Sequence, residues 1–145
     1  MISGVKILKK SILPDNRGKI MHIIKSTDNF LENFGEVYCS TIYPNIVKGW
    51  HSHRCVTINY FVLIGSINFV LFDNRNGSST KNQIQEIPMG QANNVLVSVP
   101  PLVWNGFKCT GLKEAFVLNI QNKPYNDNEV ERLDPYKNDL INYNW

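Results

Sequence analysis

The sequence predicts an all-β fold, a jelly-roll barrel with one short helix and a C-terminal tail, occupying residues 1–145 as one domain. Three observations carry this. Alternation of β-branched and aromatic residues with a period of two dominates the chain. The runs are short and separated by turn residues, as in Pro14-Asp15-Asn16-Arg17-Gly18 and Asp73-Asn74-Arg75-Asn76-Gly77. A chain of 145 residues that is 43% hydrophobic and 11% aromatic is long and apolar enough to fill one core.

In chain order, the alternation places strands at Gly4–Lys9, Ile20–Ile24, Glu36–Tyr43, Ile58–Ile64, Ser66–Phe72, Ile84–Pro88, Asn94–Val99 and Ala115–Ile120. The helix is expected from Asp28 to Phe34. Ser26-Thr27-Asp28 offers caps, Phe30, Leu31 and Phe34 share a face, and Gly35 ends it. From Pro124 onward the chain is polar and rich in turns, ending in Tyr143 and Trp145, and reads as a tail packed over the barrel or onto a partner subunit.

The net charge of +3 is small and its cations are scattered, which argues against a nucleic-acid partner. Charges run through the first twenty residues with no long apolar stretch, so a membrane segment or leader is not expected and a cytoplasmic location is. Cys39, Cys55 and Cys109 are odd in number and in no CxxC pattern; Cys39 and Cys109 lie in apolar stretches and read as core thiols.

The chemistry concentrates at Lys48-Gly49-Trp50-His51-Ser52-His53, ahead of the Ile58–Ile64 strand. Residues two apart on a strand share a face, so both imidazoles can point into the barrel. Cupin-type barrels that bind metal add a carboxylate about five residues later and a third histidine after a proline-rich turn. Here those places hold Thr57 or Ile58 and Asn105, so no metal is expected. The remaining reading makes a histidine a proton-transfer group near neutral pH.

Taken in order, Asp15-Asn16-Arg17-Gly18, Lys48-Gly49-Trp50-His51, Asp73-Asn74-Arg75 with Ser78-Ser79-Thr80, Val99-Pro100-Pro101, Trp104-Asn105-Gly106-Phe107 and Pro124-Tyr125 span nearly the whole chain. This set resembles the dTDP-4-dehydrorhamnose 3,5-epimerase family, with its DxRG, (R/K)GxH, DxRxxSxT, HGF and late Tyr, and most of all its short branch. The resemblance implies a nucleotide-sugar epimerase or isomerase, acting beside the ketone of a nucleoside-diphosphate 4-keto-6-deoxy sugar in surface-polysaccharide synthesis. It implies no cofactor and a homodimer in which the DxRG segment serves the neighbour's site. By position, His51 is the implied base and Tyr125 the implied acid on the other face of the ring. Arg17 and Lys48 are the implied contacts to diphosphate or sugar, and His53 supports.

Three places differ from the family pattern. The lysine assigned to enolate stabilisation falls at Ile58, beside Asn59; the aspartate that orients the catalytic histidine has no counterpart; and HGF has become Asn105-Gly106-Phe107. Lys48, or Asn59 with Asn105, stands as replacement for the first, and Asp73 or Tyr60 for the second. Trp104, like Trp50, is a candidate to stack on a base or sugar ring as well as a candidate for packing. Arg75 reads as a structural ion pair. A non-catalytic sugar-nucleotide-binding cupin and a metal-dependent cupin are the alternatives.

Overall fold

A computed structural model describes all 145 residues. Twelve strands run in chain order as β1 (Lys6–Lys9), β2 (Ile12–Asp15), β3 (Gly18–Met21), β4 (Glu36–Ile42), β5 (Val47–His53), β6 (Ile58–Ile64), β7 (Ser66–Asp73), β8 (Ile84–Gly90), β9 (Val95–Val99), β10 (Val103–Cys109), β11 (Ala115–Gln121) and β12 (Val130–Arg132). Two five-stranded sheets, in the orders β1-β9-β6-β11-β4 and β12-β5-β10-β7-β8, face each other, with every pairing antiparallel. This is the jelly-roll expected from the alternation.

Inward-facing residues of both sheets form the core, among them Ile58, Tyr60, Val62, Ile67, Phe69, Leu71, Val97, Val99, Phe107 and Val117. Each large apolar side chain buried this way contributes roughly 1.5–3 kcal/mol relative to exposure. Between β6 and β7 the chain turns at Gly65, whose φ of 83° favours a residue without a Cβ; Ala115 also lies too close for one.

A second apolar cluster covers the outer face of the β5–β10–β7 sheet: Trp50, Val70, Phe72, Trp104 and Ile141, with Leu133, Tyr143 and Trp145 against it. The C-terminal tail therefore packs over the barrel, one of the two placements expected for it. Trp145 lies on Gly49 and Gly106, where a Cβ on Gly106 would meet Trp145 Cη2 at 3.0 Å and Gly49 Cα at 2.9 Å.

Several sequence expectations require correction. The helix over Asp28–Phe34 is absent; a single 3-10 turn covers Ser26–Asp28 and stops at Asn29, which adopts a left-handed φ of 54°. The Asp28 carboxylate is committed backwards, to the Lys25 N–H at 2.7 Å and to the Lys10 ammonium. Cys39 is exposed rather than buried, because β4 is an edge strand; only Cys109 is in the core. Strands β2, β5, β10 and β12 were not anticipated, and two of these, β5 and β10, carry the residues of most interest.

Candidate active site

Lys48 and His51 both face a cleft of about 330 Å³, walled also by Tyr38, Ser40, Phe107, Asn119, Arg132 and Leu133. Residues three apart on a regular strand point to opposite faces. The register here shifts: Asn105 pairs with His51 but Phe107 pairs with Lys48, so Gly49-Trp50 oppose Gly106 alone. This bulge resets the parity, turning Lys48 and His51 inward and Trp50 outward into the second cluster. An adjoining lobe of about 160 Å³ is lined by Tyr38, His51, His53, Tyr125, Val130 and Arg132.

One row crosses the sheet at this level. Asn105 of β10 pairs with His51 of β5, and His51 pairs with Arg132 of β12. Directly opposed residues of an antiparallel pair have their Cβ atoms about 4.5–5.5 Å apart and share a face. From the other sheet Tyr60 of β6 reaches across, its hydroxyl 3.1 Å from His51 Nε2 and 2.9 Å from Asn105 Oδ1.

This network assigns the protons. The Asn105 amide nitrogen donates to the His51 carbonyl at 3.2 Å and the Val103 carbonyl at 3.4 Å, so its oxygen is what faces Tyr60 and accepts that hydroxyl's only proton. The Tyr60 oxygen then accepts from His51 Nε2–H. His51 is left with its lone pair on Nδ1, which makes no hydrogen bond within the protein. Burial first, and then the neighbouring His53 and Arg132 side chains, push the His51 pKa down to about 3, so the ring is neutral near pH 7. Burial first, and then Tyr38, hold the Tyr60 hydroxyl well above its usual range, which keeps it a neutral relay.

His53 is buried, with its ring edge-on to His51 at 6.0 Å, and its Nδ1 bonds Glu129. Glu129 also accepts from the Cys55 N–H at 3.1 Å. Burial works against the Glu129 carboxylate, yet the His53 and Cys55 contacts outweigh it and hold the carboxyl below its ordinary value. In the neighbouring lobe the Tyr125 hydroxyl donates to Asp127 at 2.7 Å and accepts from Arg132 Nη2 at 3.1 Å, while Arg132 Nη1 stands 2.9 Å from Asp127.

The structure thus brings His51, Tyr125, Lys48 and His53 to the two lobes of one cleft. Asn105, expected among the substrate contacts, lines neither lobe: it is buried behind His51, with its amide engaged by Tyr60 and backbone carbonyls. Nor does the structure bring Asn59 there: one residue from Tyr60, Asn59 points through the other face of β6 and donates to the Phe30 and Ile120 carbonyls. Trp104 is likewise displaced, since it alternates with Asn105 on β10 and packs in the outer cluster. Arg17 sits at the tip of the β2–β3 hairpin, which joins neither large sheet, paired with Asp15 of its own chain. Of the two candidates to touch His51, Tyr60 does so. Asp73 is fully buried elsewhere, accepting from Arg75, Ser78 and Thr80, so Arg75 forms the structural pair expected of it.

Tyr38, Asn119, Glu129 and Arg132 went unnoticed in the sequence. Tyr38 and Ser40 carried a legible signal, two polar residues on one face of an anticipated strand. Arg132 carried none, because a three-residue strand has no readable period and its neighbour on β5 is set by tertiary pairing.

All 145 residues match the sequence profile described as dTDP-4-dehydrorhamnose 3,5-epimerase. The chain is 31% identical over 146 aligned positions to the spore coat polysaccharide biosynthesis protein SpsL of Bacillus subtilis, covering 100% of this chain and 97% of that one. It is 30% identical to a Haloferax volcanii protein named "Probable low-salt glycan biosynthesis epimerase Agl13", covering 99% and 94%. The crystal structure of a dTDP sugar isomerase from Desulfovibrio desulfuricans G20 superposes with a TM-score of 0.89 at 31% identity, covering 92% of this chain and 85% of that one.

Proposed function

The chain belongs to the dTDP-4-dehydrorhamnose 3,5-epimerase family, and from that premise we propose that it epimerises a nucleoside-diphosphate 4-keto-6-deoxy sugar at a carbon beside the ketone, on a cytoplasmic route to surface polysaccharide. The observation that carries this reading is the Asn105–Tyr60–His51 chain, which leaves an unprotonated imidazole nitrogen in a cleft that Tyr125 also lines.

His51 Nδ1 takes the proton alpha to the ketone, and the C–H electron pair moves into the carbonyl to form an enolate. Tyr125, held by Asp127 and Arg132, returns a proton to the opposite face, and the carbonyl re-forms with the carbon inverted. The imidazolium and phenolate then recover their resting states by exchange with water. General base catalysis of this kind contributes about 10²–10⁴-fold. Lys48, exposed at the mouth with its ammonium 2.6 Å from the Thr41 carbonyl, meets the diphosphate. His53, fixed by Glu129, supports the wall behind His51.

The active form is a homodimer. The β2–β3 hairpin is bonded to neither sheet, its Leu13 and Ile20 are exposed, and the Arg17 side chain is 84% exposed. Those features suit an arm that lies on a second copy and delivers Arg17 to the neighbour's nucleotide. No helix is long and apolar enough to cross a membrane.

Incubation with dTDP- and GDP-4-keto-6-deoxy sugars, with products resolved by NMR, tests the reading. Inversion at carbon 3 or carbon 5 supports it; nucleotide binding without any turnover favours a non-catalytic binding protein instead.

A further inference from the structure

Forming an enolate beside a ketone requires a donor or cation at the oxygen where charge develops, commonly the largest single contribution to such a reaction. Strand β6 provides no such cation: Ile58, where the family pattern has its lysine, is 2% exposed and belongs to the barrel core. Asn59 faces away, and the Asn105 amide is fully engaged with backbone carbonyls and Tyr60. Two cations remain on the cleft, Lys48 and Arg132.

Arg132 is the better placed. It lies directly opposite His51 across the β5–β12 pair, so the two side chains leave the sheet side by side. Together with Tyr38 and His51 it lines both lobes of the cleft, whereas Lys48 lines only the larger. It already touches the hydroxyl of Tyr125 and the carboxylate of Asp127, which engages Nη2 and Nη1. A guanidinium has five N–H donors, and the side chain is 55% exposed, so donors remain for a ligand.

We propose that Arg132 is a further catalytic residue, the cation that hydrogen-bonds the developing enolate oxygen while the same guanidinium holds Tyr125. This rests on the epimerase reading above. In the step itself the substrate's C–H bond beside the ketone breaks, its proton passes to His51 Nδ1, the electron pair becomes the enolate, and an Arg132 N–H donates to the resulting O⁻ without transferring its proton. The charge collapses back to a ketone when Tyr125 protonates carbon. The cation thereby comes from the edge strand β12, next to the base, rather than from β6 in the facing sheet.

Solvent-deuterium incorporation and net inversion, measured on the same samples for wild type, Arg132→Gln and Arg132→Lys with a nucleoside-diphosphate 4-keto-6-deoxy sugar, test this. Circular dichroism verifies that each variant is folded, and the lysine variant keeps the test available if the glutamine one is not. Loss of deuterium exchange by about 100- to 1,000-fold in Arg132→Gln, with KM within a few-fold and Arg132→Lys in between, is the expected result. Exchange at the wild-type rate in Arg132→Gln, even with inversion lost, overturns it, since Arg132 would then act only through Tyr125. A wild type that exchanges nothing removes the epimerase reading and this inference with it, an outcome distinct from a defect confined to the variants.

Discussion

The Tyr60 hydroxyl lies 3.1 Å from His51 Nε2, and because it gives its proton to Asn105 at 2.9 Å, it accepts from that nitrogen and leaves the Nδ1 lone pair free. In the proposed mechanism, this neutral relay of tyrosine and amide has the orienting task that the family pattern gives to an aspartate. It orients the ring without stabilising the imidazolium electrostatically, which agrees with a histidine whose protonation is pushed far down.

Tyr60→Phe removes that relay at almost constant volume. His51 Nε2–H and Asn105 Oδ1 each lose a partner in the interior, at a cost of about 1–3 kcal/mol. Urea unfolding should show that loss, and ¹⁵N NMR of the imidazole should show the Nδ1–H tautomer becoming populated. Turnover falls by anything from about tenfold toward the ~10⁴-fold that a misplaced tautomer can cost a histidine base. An unchanged tautomer with unchanged turnover would refute the relay.

Asp73→Asn separates the two candidates for touching His51. Asp73 is fully buried and ion-paired with Arg75, and it also anchors Ser78 and Thr80. Breaking this pair should cost about 3 kcal/mol or more, read as a lower denaturant midpoint. Turnover per folded molecule should stay at the wild-type level, since Asp73 contacts nothing in the cleft.

Gly106→Ala probes the tail. A Cβ there meets Gly49 Cα at 2.9 Å and Trp145 Cη2 at 3.0 Å, so backbone on β5 must shift. Overpacking of this kind costs about 1–3 kcal/mol. Trimming the ring in Gly106→Ala/Trp145→Ala relieves the second contact only, so the denaturant midpoint of the double variant should show strong non-additivity with Trp145→Ala alone.

Acid should weaken the fold in two stages. The His51 pKa falls from 6.5 unfolded to about 3 folded, so the unfolded chain binds the extra proton and stability declines as pH drops from about 6.5 toward 3. Glu129 has its folded value below 4.5, so its share is present above that pH and is lost as pH falls through the lower folded value. Thermal midpoints between pH 8 and pH 4 should fall with acid, and His51→Asn should flatten the upper part of the curve.

Much of this was legible beforehand. The sequence predicts strand β6 over Ile58–Ile64, the span it occupies, because a run of β-branched and aromatic residues there is bounded by Gly65. Motif order points to His51, Lys48 and Tyr125, which share the cleft, and to Asn105, which is buried behind it. Strand β5 escaped because Lys48, His51 and the bulge break the period of two that reveals a strand. Asn59 and Trp104 face away for one shared reason: each adjoins a residue that contacts His51, Tyr60 and Asn105 respectively, and neighbours on a strand point to opposite faces. Arg132 escaped because only the β5–β12 register puts it beside His51.

The central claim is that His51 removes a proton from the carbon beside a ketone, and NMR of a nucleoside-diphosphate 4-keto-6-deoxy sugar incubated with the protein in deuterated water tests it most directly. Wild type should place deuterium at carbon 3 or carbon 5, Tyr125→Phe should still exchange at one of these carbons while losing inversion, and His51→Asn should leave both carbons protonated. Exchange by His51→Asn at the wild-type rate, or none by wild type with either nucleotide, would contradict it.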